Sequence, residues 1–247
     1  MIEISGLSFS YGKERVLNNM DLKIRAGEFV GIMGPVGSGK TTLLLTLNGI
    51  IPHMIKGKFE GSVRIFEKDT RATKVSALAR DAGLVFQDPD SQIFSLKVKD
   101  EVAFGLENMG VPREEIEARV RDALRAVELG DFAEKDPNAL SGGQKQKLAL
   151  ACVLAMDQKI FALDEPVSNM DHRGAVEIYS ILRRANEKGK TVIVVEHDSE
   201  LLLEYAKRII VIERGRIALD ANTRRALSSK IIGELGLKIP CELKKKK

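Results

Sequence analysis

Apolar residues at Ile2, Ile4, Leu7, Phe9 and Tyr11 open the chain close to period two, the spacing of a strand with one buried face. Asp21 to Ile24 reads as a second strand, and Val63–Phe66 and Ala82–Phe86 as others. Three short runs are apolar throughout: Phe29–Met33, Ile160–Leu163 and Thr191–Val195. Unbroken runs rich in Ile, Val and Phe predict strands buried on both faces, as in a parallel sheet. Other stretches carry the helical period. Ile116, Val120, Ala123, Leu124 and Val127 fall on one face of a helix predicted over Arg113–Glu128, between Pro112 and Gly130. A second helix is predicted from near Ser141 through Leu148, Leu150 and Val153, and a third over Gly174–Lys188, closed by Gly189. Strands alternating with helices predict an α/β fold with a doubly wound parallel core. The interval 88–157 is poor in strands and is expected to be a helical subdomain.

Composition narrows the class. The chain has 247 residues, 44% of them hydrophobic, which excludes a disordered polypeptide. The formal net charge is +4, and Lys244 to Lys247 account for that excess. Charge alone therefore gives no footprint for a nucleic acid. Cys152 and Cys241 cannot make a disulfide framework, so a reducing compartment is expected. The start, MIEISGLSFSYGKE, has no basic and then apolar stretch of the signal-peptide kind. The longest apolar stretch, Leu43–Ile55, is interrupted by Thr46, Asn48, Pro52 and His53 and falls short of the roughly 18 residues of a spanning helix. A soluble protein is expected, one that reaches a membrane only through a partner.

The chemistry concentrates where the glycines crowd. Gly34-Pro35-Val36-Gly37-Ser38-Gly39-Lys40-Thr41 fits G-x-x-x-x-G-K-[ST], between a predicted strand and a leucine-rich helix. Glycine lets backbone N–H groups approach phosphate oxygens, and the helix aims its positive end at the anion. Lys40 is expected to reach the β- and γ-phosphates and the Thr41 hydroxyl to bind Mg²⁺. Ile160–Leu163 ends in Asp164 and Glu165, which suit a Mg²⁺-holding acid and a general base. His197, just past Thr191–Val195, is expected at the same carboxyl-end edge of the sheet.

Together with Leu140-Ser141-Gly142-Gly143-Gln144, these motifs resemble the nucleotide-binding subunit of an ATP-binding cassette (ABC) transporter, over roughly residues 2 to 220. The resemblance implies a phosphate-loop NTPase core with an antiparallel β subdomain and an α-helical subdomain, a cassette over residues 1–225, and an extension with a lysine tail over 226–247. It implies ATP hydrolysis with Mg²⁺. Nucleotide would be held by Tyr11, Gly34, Pro35, Val36, Gly37, Ser38, Gly39, Lys40, Thr41 and Thr42. Ser141, Gly142, Gly143, Gln144 and Asp171 would act across a head-to-tail dimer. Catalysis would fall to Glu165, His197 and Gln87, and the metal to Thr41, Gln87 and Asp164. Ser168-Asn169-Met170-Asp171 matches the family's D-loop.

A narrower resemblance lies in Phe9-Ser10-Tyr11, in residues 48–63 and 85–105, and in LSGGQKQKLALA. These are similar to energy-coupling-factor (ECF) importer ATPases, which serve uptake of vitamins and transition-metal ions. That implies a second ATPase subunit, identical or related, and integral membrane subunits contacted by Ile93, Phe94 and Leu96 at the cytoplasmic face of the membrane. Val36 stands where the family usually has Asn, Thr41 where Ser is commoner, Met170 where Leu is usual and His172 where Pro is usual. The alternatives are a cassette acting on nucleic acid or chromosomes and a purely structural ATP-locked clamp. The short interval from Lys40 to Ser141 carries no sustained heptads, and the intact Glu165 and His197 oppose a clamp.

Overall fold

The computed structural model describes residues 1–168 and 170–244. Asn169 of the D-loop match and Lys245 to Lys247 of the lysine tail lie outside the described residues.

The chain opens with β1 (Ile2–Tyr11) and β2 (Glu14–Ile24), an antiparallel pair. β2 reaches further back than the expected Asp21–Ile24. Its middle carries Asn18 and Asn19, with Asn19 in the left-handed region at φ 48°, and register shifts interrupt the pairing. That break hides the alternation from a reading of pattern alone. Next come β3 (Phe29–Met33), α1 (Lys40–Leu47) and a single turn, α2 (Ile50–His53). β4 (Lys58–Ile65) and β5 (Lys68–Asp69) complete a four-stranded sheet in the order β2-β1-β4-β5. After the one-turn α3 (Val75–Leu78) the chain enters β6 (Ala82–Val85).

Three helices follow: α4 (Val98–Asn108), α5 (Arg113–Ala126) and α6 (Gly142–Ala155). α5 stops at Ala126 because Glu128 turns left-handed, at φ 61°, and Gly130 instead begins a short 3₁₀ turn. The chain then alternates through β7 (Ile160–Asp164), α7 (His172–Glu187), β8 (Thr191–Val195) and α8 (Ser199–Tyr205). α7 begins two residues before the expected Gly174, because Asp171 caps it by accepting from the Gly174 N–H at 2.8 Å. β9 (Arg208–Glu213), β10 (Arg216–Asn222), α9 (Thr223–Leu227) and α10 (Lys230–Glu234) close the fold.

The main sheet runs β10-β9-β3-β8-β7-β6, parallel except for the antiparallel edge strand β10. Its central strands are buried on both faces, which explains their unbroken apolar runs. Alternate residues feed two cores. Phe29, Phe161, Leu163, Val192, Val194, Ile209 and Val211 pack with residues of α4 to α7. Val30, Ile32, Ile160, Ala162, Ile193, Val195 and Ile210 pack with α1 and the antiparallel sheet. The α/β fold thus has the expected parallel core, antiparallel sheet and helical region. Residue 225 lies inside α9, and Ala226, Leu227 and Ile232 join the first of these cores. Among the described residues no helix is long and apolar enough to cross a membrane.

Candidate functional site

Four neighbouring parallel strands, β3, β8, β7 and β6, end at one edge of the main sheet. β3 leads into the glycine loop, β8 into Glu196 and His197, β7 ends in Asp164 before Glu165, and β6 is followed by Phe86 and Gln87. This is the binding edge of an open α/β sheet.

The loop from Gly34 folds back over the start of α1. Gly34 has φ +155°, and a Cβ there would stand 2.1 Å from the Ile212 carbonyl oxygen. Gly39, at φ +103°, would set a Cβ 2.9 Å from the Val16 carbonyl. Both positions admit only glycine without displacing backbone. Lys40 is buried, and its Nζ donates to the carbonyls of Gly34 and Pro35, each at 2.9 Å. Burial lowers its pKa, while Glu165 and Asp164 pull the other way. The Ser38 hydroxyl is buried inside the loop and has no hydrogen-bond partner among the described residues. A phosphate oxygen would satisfy it. Val36, at 93% exposure, stands out into solvent from the loop. Thr42 Oγ1 lies 3.3 Å from the Tyr11 hydroxyl, which ties the half-exposed Tyr11 ring to the start of α1.

Asp164 is only 4% exposed. Its carboxyl is pushed above the usual range by burial first, then by the nearby Glu165, while Thr41, Lys40 and His197 oppose the shift. Glu165 sits in the left-handed region at φ 46°, strained backbone that its N–H bond to the Val195 carbonyl, 3.0 Å, helps to hold. Its carboxylate is held from both sides. Gln87 Nε2 donates to Oε2 at 2.8 Å, and His197 Nε2 lies 2.9 Å from Oε1. The structure therefore gathers Gln87, Asp164, Glu165, His197 and the loop Gly34–Thr41 at one edge. Asp164 and Thr41 supply hard oxygen donors of the kind Mg²⁺ prefers.

Among the described residues Ser141 to Gln144 make no hydrogen bond to these groups, although Gly142 lines a small pocket with Gln87. They form a capping box, with Gln144 N–H donating to Ser141 Oγ at 3.3 Å and Ser141 N–H to Gln144 Oε1 at 2.9 Å. Among the described residues no hydrogen bond or ion pair joins this box to the phosphate loop. Asp171 likewise spends its carboxylate on the cap of α7. α6 is tied instead to the segment around Gln87: Gln146 Nε2 donates to the Phe86 carbonyl at 3.3 Å and Lys145 pairs with Asp90 at 2.5 Å. Neither pair was singled out from sequence, where a Lys or Gln on a helix reads as a solvated face. Glu196 was also missed. It is 5% exposed and accepts from the His197 and Asp198 N–H groups at 2.7 and 3.0 Å and from the Tyr179 hydroxyl at 3.2 Å. Its one sequence signal is a carboxylate directly after five buried strand residues.

A strand, glycine loop and helix, with an acidic pair ending a parallel strand of the same sheet, one strand removed from the first, define the class of phosphate-loop NTPases. The ABC transporter family model matches residues 17–168. A Pyrococcus abyssi relative, provisionally named an ABC transporter ATP-binding protein, is 46% identical over 248 residues, covering 99% of this chain and 89% of its own. A relative of the same provisional name from Pyrococcus horikoshii is also 46% identical, over 99% and 87% of the two chains. Among solved structures, CbiO1 of Clostridium perfringens, part of the ABC transporter complex cbiONQ, superposes with a TM-score of 0.81. It is 32% identical and matches 97% of this chain and 95% of its own. The dimeric cassette MJ0796, in a post-hydrolysis state with ADP and Pi, gives a TM-score of 0.79 at 32% identity, over 90% and 99% of the chains. This chain belongs to the ABC transporter family, as an ATP-binding and ATP-hydrolysing cassette.

Proposed function

We propose that the chain is the ATPase subunit of an ECF-type importer for a vitamin or a transition-metal ion. The observation that carries this reading is the nearly end-to-end likeness to CbiO1, a component of cbiONQ. Three exposed apolar side chains beyond Gln87 also support it: Phe94 at 63%, Leu96 at 83% and Phe104 at 45% exposure, with the Phe94 and Phe104 rings edge to face at 4.6 Å. Such a patch fits a buried contact in a larger assembly. In this reading it receives the integral membrane subunits, with Ile93 beside it, and the chain sits peripherally on the cytoplasmic face. In this reading residues 1–225 are the cassette and 226–247 an extension that begins inside α9 and packs Ala226, Leu227 and Ile232 back into the cassette's core.

The loop N–H groups, Ser38, Lys40 and Thr42 bind the triphosphate of ATP, and Tyr11 stacks on the adenine. Thr41, Asp164 and Gln87 hold Mg²⁺, which when bound offsets the phosphate charge. Lys40 exchanges its two carbonyl partners for phosphate oxygens. Glu165, held between Gln87 and His197, takes the proton of the attacking water. Ser141 to Gln144 and Asp171 are not hydrogen-bonded to the phosphate loop among the described residues, and in this reading a second cassette, identical or related, brings them to the opposite ATP. No nucleic acid enters this cycle.

Capture of the tagged chain from detergent-solubilised membranes tests the reading. Integral membrane proteins and a cassette should come along, and ATP turnover should depend on them. A chain recovered alone from membranes, with turnover indifferent to added membrane extract, refutes the importer role.

A further inference from the structure

Glu196 follows the last residue of β8 and precedes His197, yet it points inward. A buried carboxylate is costly unless hydrogen-bonded, and Glu at a strand end ordinarily reaches water. Here its partners are two backbone N–H groups and one hydroxyl rather than a cation. Both N–H groups, of His197 and Asp198, converge on the same oxygen, Oε1. The Tyr179 hydroxyl, from the middle of α7, donates to the other oxygen. Tyr179 is itself fully buried, between Phe29 and Tyr205. Further on, the N–H groups of Glu200 and Leu201, in the first turn of α8, go to Asp198 Oδ1 at 2.9 and 3.4 Å. The backbone leaving β8 is thus held by two carboxylates in succession, and the imidazole is left to turn only about its own side-chain bonds. The ring it carries ends 2.9 Å from Glu165.

We propose that Glu196, clamped by the Tyr179 hydroxyl, is a positioning residue that fixes the backbone of His197 and so sets its ring against the Glu165 carboxylate. The proposal rests on the reading that His197 and Glu165 take part in hydrolysis. Glu196 touches neither nucleotide nor water in this scheme, and its contribution runs through His197 alone. A Gln at this position keeps the acceptor oxygen that both N–H groups use. An Ala removes it.

Single-turnover ATP hydrolysis at saturating Mg-ATP by the complex captured from membranes with the tagged chain, with ATP affinity measured separately, tests this. Glu196→Ala is expected to slow hydrolysis about tenfold or more, as small misplacements of catalytic groups do, with ATP affinity within about twofold. Glu196→Gln should stay within about threefold of the wild type, since the acceptor survives. His197→Ala should be slow, and His197→Ala combined with Glu196→Ala no slower, because a group acting through His197 has nothing left to position. Wild-type rates in Glu196→Ala overturn the proposal, as does a double variant well below His197→Ala. If Glu196→Ala melts too low to assay, Tyr179→Phe takes its place in both backgrounds. It should slow the wild type and leave His197→Ala unchanged, and equal slowing in both overturns the proposal. A His197→Ala chain at full rate defeats the reading of the site itself, whereas a slow His197→Ala with a silent Glu196→Ala defeats the positioning role alone.

Discussion

Asp164 and Glu165 are adjacent carboxylates in different surroundings. Asp164 is buried at the end of β7, and its proton affinity is raised above the ordinary value of 3.8, with burial the largest cause. The folded chain therefore binds protons that the unfolded chain has released. The contribution of Asp164 to the stability of the nucleotide-free protein falls as pH rises from 3.8 upward through its raised pKa. Asp164→Asn removes the buried charge. Without nucleotide it should melt above the wild type at pH 7, with the gap narrowing as pH falls towards 4, while Mg-ATP binding weakens. Thermal melts across pH check this, and a gap that widens at low pH contradicts the burial argument. Glu165 is held instead by Gln87 and His197 in strained backbone. If it is the base, Glu165→Gln should cut turnover by about 10²–10⁴ and spare ATP binding. Near-normal hydrolysis would remove it from that role.

At the level of elements, one turn of helix is held in place by two reciprocal hydrogen bonds. Ser141 caps α6 and Gln144 closes the box. The cap orders the backbone that, in the proposed dimer, meets the second nucleotide. Ser141→Ala should cost about 1 kcal/mol of stability, and Ser141→Thr much less. Urea unfolding midpoints of the three chains provide the comparison, and an unshifted Ser141→Ala midpoint would mean the cap is idle. The elements also differ in how plainly the sequence announces them. Runs buried on both faces, Phe29–Met33, Ile160–Asp164 and Thr191–Val195, are continuous and legible. β2 is not, because Asn19 turns left-handed in its middle. β9 and β10 were not singled out, although Ile209 to Ile212 form the same kind of run, buried between β3 and β10.

Over the whole molecule, two apolar cores lie on opposite faces of one sheet, and the apolar side chains Phe94, Leu96 and Phe104 are left outside both. An exposed aromatic adds little to the stability of the chain that carries it, but it can dominate an interface that buries it. Phe94→Asp should therefore leave folding and ATP affinity unchanged and reduce recovery of membrane subunits about tenfold or more. Recovery at the wild-type level would place the contact elsewhere.

Local order along the chain determined the phosphate loop, the acidic pair after β7 and the alternation of strand and helix. Each depends on residues close in sequence: glycine where φ is positive, apolar runs where both faces are covered, polar groups where a strand ends. Only the tertiary structure decided which strand ends are neighbours. The order β3-β8-β7-β6 joins Gln87, Glu165 and His197, far apart along the chain, into one hydrogen-bonded group. It also turned Glu196 inward beneath His197. Whether a carboxylate at a strand end faces water or protein depends on what packs above it, here Tyr179 from α7, and pairing between distant segments lies beyond the reach of local pattern.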